Sequence, residues 1–360
     1  MSENKQKTIC FFNSNRAWGG GEKWHFTTAK EFERRGFNTF IVTNVRSELE
    51  KKAIAEKVDV FSFFVHNLSF LNPFKILTMM ALFKSQKVDA VVINLPSDLK
   101  LAGIAAKLCG IKKIIYRRGM PHPLRNTGLN RFLFKNVLTH VVVNSLEIGR
   151  SLEKGNEDWF PKEKMVLIYN GVDTTKPVPH NNKLYEKKDN EIVIGNAGRL
   201  TDQKGQKYLI EMADILKEEG MKVKVLIAGE GELKETLITQ IKEYDLENEV
   251  VLMGHVNDMS AFFNSLDVFV FTSLYEGSAN TLIETLYHGV PTVAWDVSSN
   301  PEVIKHGRTG YLAKPFEVED LVKGVKELVK KERDVVASQA VVLEKFDSMK
   351  NLSFLEEIVK

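Results

Sequence analysis

The residues best suited to chemistry lie in three glycine-bounded clusters. The most specific is 275–291, YEGSANTLIETLYHGVP, where Glu276 and Glu284 stand eight positions apart. A helix starting near Ser278 puts Glu276 at its mouth, with the amides of Ala279, Asn280 and Thr281 facing the same space. Helix-start amides beside a carboxylate hold an anionic group and a hydroxylated group side by side, the two halves of a nucleotide-sugar. Two glutamates at this spacing are common by chance. The turn at Gly277, the helix and the closing Gly289-Val290-Pro291 add the specificity.

The second cluster is 195–205, GNAGRLTDQKG. Arg199 and Lys204 share one strand-to-helix turn that Gly198 and Gly205 allow to bend. Converging on a diphosphate, Arg199 acts as a planar fork and Lys204 as a mobile point charge; a solvated basic turn is the other reading. The third cluster, 14–23 (SNRAWGGGEK), precedes a helix beginning near Glu22. Gly19, Gly20 and Gly21 let the backbone approach an anionic oxygen, or simply make a flexible turn. The spacing is not G-x-G-x-x-G and no acidic residue closes 39–43, which argues against a nicotinamide cofactor. Segment 116–125, YRRGMPHPLR, adds Arg117, Arg118, His122 and Arg125, and Asp98 follows the strand expected at 89–95.

These turns need strands to position them. Short β-branched and aromatic runs at 8–13, 39–43, 58–65, 89–95, 112–117, 140–145 and 165–169 alternate with amphipathic segments. After a polar stretch, 173–190, the rhythm restarts at 192–197, 223–228, 249–253, 268–272, 291–295 and 309–313, with helices expected at 203–219, 232–244, 258–265 and 317–331. This is the βαβ pattern of parallel sheets buried on both faces, and it predicts an α/β chain of two Rossmann-like doubly wound domains. The first covers 1–175, a linker 176–190, and the second 191–345, with a helix near 346–360 packing back on the first. Ligands in such sheets sit outside the carboxyl ends of the strands, so two domains facing each other make a cleft.

Composition is that of an ordinary globular protein. The 360 residues carry 50 Lys+Arg against 47 Asp+Glu, but 1–175 hold 27 against 16 and 176–360 hold 23 against 31. The first half is thus basic by 11 and the second acidic by 8. Cys10 and Cys109 form neither a disulfide framework nor a zinc motif. No apolar run reaches the roughly 18–20 residues of a membrane span, and the start has no export signal. A cytoplasmic protein is expected, at most peripheral on the inner face of the plasma membrane.

Taken in order, 17–22 (AWGGGE), 170–173 (NGVD), 198–205 (GRLTDQKG), 228–231 (AGEG), 254–256 (GHV), 276–284 (EGSANTLIE) and 289–291 (GVP) resemble the large family of retaining GT-B-fold glycosyltransferases, the family 4 type or glycosyl transferases group 1. The resemblance implies a second domain that binds a sugar nucleotide as donor substrate, with no cofactor and no metal. It assigns the diphosphate to Arg199 and Lys204, the sugar hydroxyls to Glu276 and the ribose to Glu284. Gly198, Gly277, Ser278, Ala279, Asn280 and Thr281 match the phosphate-binding turn and helix start. Gly229, Glu230, Gly231, His255 and Val256 match loops around the nucleoside, and Gly19 to Gly21 a first-domain loop closing over the phosphates. His122 matches a histidine touching sugar or acceptor, a solvent-exposed loop histidine being the other reading; Asp98 is a second candidate for polarising the acceptor hydroxyl.

The implied reaction transfers a sugar to a glycan or lipid-linked acceptor in cell-surface polysaccharide or lipopolysaccharide assembly. The leaving phosphate itself takes the acceptor proton. A nucleotide-sugar epimerase of the same fold is the alternative enzyme. A nucleic-acid or other basic-surface binding protein lacks the stacking platforms expected of one. Segments 70–87 and 122–139 interleave apolar residues with Lys and Arg, a pattern suited to an anionic membrane surface. The other reading makes Phe70, Leu82, Phe132 and Leu133 core residues.

Overall fold

A computed structural model describes residues 6–179 and 182–360. All thirteen expected strands form. The first seven are β1 (Thr8–Asn13), β2 (Asn38–Asn44), β3 (Val60–Phe63), β4 (Ala90–Ile93), β5 (Lys113–Arg118), β6 (His140–Val143) and β7 (Met165–Leu167). They make one parallel sheet in the order β3-β2-β1-β4-β5-β6-β7. The other six are β8 (Ile192–Ala197), β9 (Val223–Ala228), β10 (Val250–Gly254), β11 (Val268–Phe271), β12 (Thr292–Trp295) and β13 (Gly310–Ala313). Their sheet is also parallel, in the order β10-β9-β8-β11-β12-β13.

The strands alternate because both faces of each sheet are covered. In β1, Cys10 and Phe12 join a core with Phe83 and Phe134, while Ile9 and Phe11 join another with Phe26 and Phe32. In β8, Ile194 packs with Leu209 and Trp295, and Val193 with Phe262 and Phe269. Successive side chains of a strand point to opposite faces, so a strand apolar at every position marks a two-faced sheet.

Two compact units result, residues up to Ile168 together with Leu352–Lys360, and Tyr169–Asn351. The division runs at 168/169, earlier than the expected boundary at 175. The expected linker 176–190, of which His180 and Asn181 lie outside the described residues, belongs with the second unit. Its backbone is strand-poor and takes partners from the end of the helix Met259–Asn264. Leu184 and Tyr185 donate N–H to Ser265 Oγ at 2.9 and 3.1 Å, and Asn264 Nδ2 donates to the Pro179 carbonyl at 2.7 Å. In the helix Ser348–Val359, Leu355 and Val359 enter the core of the first unit, where Arg35 pairs with Glu356 at 2.8 Å and Glu31 at 3.1 Å.

Both strand orders reverse direction between a first and a fourth strand, β1/β4 and β8/β11. Ligand sites of open α/β sheets form at such switch points, and three of the chemically suggestive segments follow these four strands: Gly19–Gly21 after β1, 198–205 after β8 and Glu276 after β11.

Candidate active site

In the second unit the fold brings the turn after β8 against the turn after β11. Thr272 Oγ1 donates to the Lys204 carbonyl at 2.9 Å, Leu274 N–H to the Gln203 carbonyl at 2.8 Å, and Gln203 Nε2 to the Tyr275 carbonyl at 2.9 Å. Gly205, at φ +62°, allows this approach: a Cβ there would lie 2.5 Å from the Thr272 carbonyl oxygen. Lys204 Nζ reaches Glu276 Oε1 at 2.5 Å, with the two side chains 18% and 10% exposed. The lysine stem runs along Gly198, and its ammonium lies 5.8 Å from the Phe271 ring. Arg199 is exposed and makes no ion pair among the described residues. A partly shielded cation and carboxylate, with a second cation at the mouth, suit a ligand carrying phosphate beside hydroxyls.

Glu276 is held by its backbone. The Ser298 hydroxyl accepts its N–H at 3.1 Å and donates to its carbonyl at 2.6 Å, and Ser298 itself adopts φ +54°. A non-glycine residue in that region signals local strain that the surroundings maintain. The helix begins at Asn280, two residues later than expected, because the Asn280 N–H turns back to the Ser278 carbonyl at 2.9 Å. Ala279 is buried in the core, and the Asn280 side-chain oxygen accepts from Asn170 at 3.0 Å and Ser278 at 3.3 Å. Thr281 and the half-buried Glu284 lie on this helix, and the Glu284 carbonyl meets His288 Nδ1 at 2.8 Å.

The loops at 229–231 and 255–256, which the sequence resemblance assigns to the nucleoside, adjoin the same edge. Gly229 N–H donates to the Gly254 carbonyl at 2.8 Å, and the Glu230 carbonyl accepts Leu200 N–H at 2.9 Å. Gly231 lies against Leu200, Val256 packs on the core, and Glu230 and His255 are exposed. Gly198, Arg199, Lys204, Gly229, Glu230, Gly231 and the 276–281 turn are thus assembled in one unit, whereas Gly19, Gly20, Gly21 and His122 belong to the other.

In the first unit the glycine turn opens the helix Gly20–Arg34, which starts two residues before Glu22. Beneath it lies a buried polar layer that sequence reading did not collect. Asn13 Nδ2 donates to Glu22 Oε1 at 3.1 Å, Arg117 Nη1 reaches Asn94 Oδ1 at 3.5 Å, and the guanidinium lies 4.3 Å from the Trp24 ring. Burial lowers Arg117 to about 10, Glu22 opposing it. The available signal was a polar residue at or just beyond the ends of three apolar strands, β1, β4 and β5. His122 is exposed in the following loop, its carbonyl accepting Arg118 Nη2 at 2.8 Å.

Asp98, fully buried, accepts from the Ser14 N–H at 3.0 Å, the Ser14 hydroxyl, Leu95 N–H at 3.3 Å and the Ser97 hydroxyl at 3.3 Å. Burial raises its pKa to about 7 against these donors. A carboxyl kept neutral when folded but ionised when unfolded makes stability fall as pH rises from about 4 to about 7, then level off. The displacement is worth about 4 kcal/mol. His25 runs the other way: burial, then Arg117, lowers it to about 3, so its contribution is lost as pH falls below about 6.5. Because the windows overlap, Asp98→Asn isolates the aspartate. The melting temperature of the variant minus that of wild type is expected to rise across pH 4 to 7 and be level above; a flat difference rejects the elevated pKa.

Comparison with known proteins decides the family. The family described as glycosyl transferases group 1 matches residues 179–341, and the one described as glycosyltransferase family 4 matches 18–176. The chain belongs to the group 1, family 4-type glycosyltransferases. An uncharacterized glycosyltransferase of Methanocaldococcus jannaschii is 31% identical over 53% of this chain and 52% of its own length. The chain therefore spans about half the length of that relative. The UDP-Gal:alpha-D-GlcNAc-diphosphoundecaprenol alpha-1,3-galactosyltransferase of Escherichia coli is 28% identical over 74% of each chain. The structure of HepE from Anabaena in complex with UDP matches with a TM-score of 0.81 at 20% identity, covering 97% of this chain and 98% of that one. The shared architecture is the GT-B fold of two parallel α/β units.

Proposed function

We propose that this family member transfers a sugar from a nucleoside diphosphate sugar to a glycan or lipid-linked acceptor in cell-surface glycan assembly, with retention at the anomeric carbon and without a metal. The observation that carries the reading is the Lys204–Glu276 pair at the β8/β11 switch point, with Arg199 in the same turn. The likeness to a galactosyltransferase named for a diphosphoundecaprenol-linked acceptor supports the acceptor class.

Negative charge builds on the departing diphosphate as the C1–oxygen bond breaks. Preorganised cations and helix-start amides stabilise that charge without reorganising. Lys204 and Arg199 do this at the phosphates, and Glu276 takes the sugar hydroxyls. The acceptor oxygen bonds C1 on the face the diphosphate leaves, and its proton passes to a phosphate oxygen, so no enzyme nucleophile is needed.

Thermal-shift titration with uridine, guanosine and adenosine diphosphate sugars should single out one base. Incubating that donor with lipid-linked acceptor in EDTA should then give an α-linked product from an α-linked donor. An inverted linkage, or a rate abolished by EDTA, rejects that part of the reading. Conversion of the donor to an epimer without acceptor supports the epimerase instead.

A further inference from the structure

The transfer reading gives no task to the segment 170–173, NGVD, which lies just inside the second unit. Its backbone is pinned there by 346–351, the stretch from which the chain returns to the first unit. Val172 N–H donates to the Phe346 carbonyl at 3.0 Å, and Ser348 N–H to the Val172 carbonyl at 2.9 Å. Gly171 permits that approach, since a Cβ there would lie 2.1 Å from the Phe346 carbonyl oxygen. Asn351 Nδ2 adds bonds to the Tyr169 and Lys345 carbonyls at 3.1 and 2.9 Å, and Thr174 Oγ1 donates to Asp347 at 2.8 Å.

So anchored, the segment holds both ends of the helix Asn280–Tyr287. At the start, Asn170, only 8% exposed, donates from Nδ2 to Asn280 Oδ1 at 3.0 Å. The same oxygen accepts the Ser278 hydroxyl at 3.3 Å. At the far end, the Tyr287 hydroxyl lies 3.2 and 3.1 Å from the Thr174 and Lys176 carbonyls, which share its proton.

A helix ordinarily fixes its first turn with a side chain that accepts an amide two or three residues on. Ser47, Ser145 and Asp334 do so elsewhere in this chain. The helix at Asn280 has no such side-chain cap among the described residues. A cap would occupy amides that a phosphate must reach. Gripping the side chain of the first helical residue instead orders the start of the helix and leaves those amides open. Thr281 and Glu284 ride on the same helix, so its placement sets several donor contacts at once.

We infer that Asn170 is a positioning residue for sugar transfer: through Asn280 it sets the helix start on which the donor diphosphate rests. The inference rests on the reading of the 278–281 turn as the phosphate site. A bond that only stabilised the fold would show in melting alone, whereas a positioning bond also shows in donor affinity.

The donor for the test is whichever of the uridine, guanosine and adenosine diphosphate sugars stabilises the wild-type protein most. Asn170→Ala should weaken its binding roughly tenfold by calorimetry, the worth of one buried hydrogen bond, with the KM for acceptor unchanged. Tyr287→Phe removes bonds at the far end of the same helix; it should lower melting similarly and leave donor affinity within about twofold. Asn280→Ala breaks the Asn170 bond from its other partner and completes a cycle. With Asn170 acting through Asn280, the double variant binds donor no more weakly than Asn280→Ala. In the full chain without ligand, amide exchange read by mass spectrometry over 279–286 should run roughly tenfold faster in Asn170→Ala. Ile283 N–H, bonded to the Ala279 carbonyl at 3.1 Å, lies in that stretch. Unchanged exchange or unchanged donor affinity in Asn170→Ala, additive losses in the cycle, or equal losses in Asn170→Ala and Tyr287→Phe each overturn the inference. Failure of the wild type to bind any of the three donors sinks the transfer reading instead, and the exchange measurement then decides by itself whether Asn170 holds the helix start.

Discussion

Lys204→Ala is expected to lower turnover by roughly 100- to 1000-fold, the usual loss when one preorganised group facing developing charge is removed. The lysine does two jobs in this structure. Its ammonium is the shielded cation of the turn, and it sets Glu276, itself only 8% exposed, by the 2.5 Å contact. Glu276→Gln keeps the shape and removes the charge, so the two variants and their double mutant form a cycle. If Lys204 acts only by holding Glu276, the double mutant will be no slower than Glu276→Gln. If it also stabilises the leaving diphosphate, the double mutant will be slower, by a factor that shrinks with a better leaving group. Arg199→Ala should lose less, roughly tenfold to a hundredfold, because an exposed cation is screened by water. Turnover within an order of magnitude of wild type when all three positions are alanine would remove the site assignment altogether.

The second large effect falls on a residue with no side chain. Gly229 has φ +144°, and a Cβ there would lie 1.9 Å from the carbonyl oxygen of Gly198, the residue before Arg199. Gly229→Ala must therefore displace the turn that carries both cations. The expected cost is roughly 3 kcal/mol or more, a drop of roughly 6–12 °C in melting temperature, with donor binding weakened at least tenfold. Gly220 is the control. It also has positive φ, +79°, but a Cβ there meets nothing within 4 Å, so Gly220→Ala should cost only about 1 kcal/mol and leave donor binding intact. Equal melting and equal donor affinity in the two variants would show that the close approach of β9 to the β8 turn is not needed.

Much of this was legible in the residues themselves. The thirteen strands announce themselves because strands buried on both faces must be apolar at nearly every position, as in TICFFN and VKVLIA. The turns after β8 and β9 stand out because a backbone that approaches a neighbour or a ligand closely needs glycine, as at Gly205 and Gly229. Those signals are local: each strand or turn reports its own burial and conformation.

Pairing is not local, and only the tertiary structure decided it. Lys204 meets Glu276 across 72 positions because the crossovers put β11 beside β8. Nothing in VSSN announces that Ser298 grips both backbone groups of Glu276, and nothing in AWGGGEKW announces that Trp24 lies under Arg117 from β5. The 173–190 stretch reads as a linker from its composition, but its backbone bonds fasten it to the second unit. Phe74 and Leu77 are as apolar as Met79 and Phe83, and only the packing of their helix decides which pair meets solvent. The sequence by itself determined two parallel sheets and the turns at which chemistry can occur. Strand order decided which turns meet, because side chains from β8 and β11 come within reach only when both strands end at the same switch point.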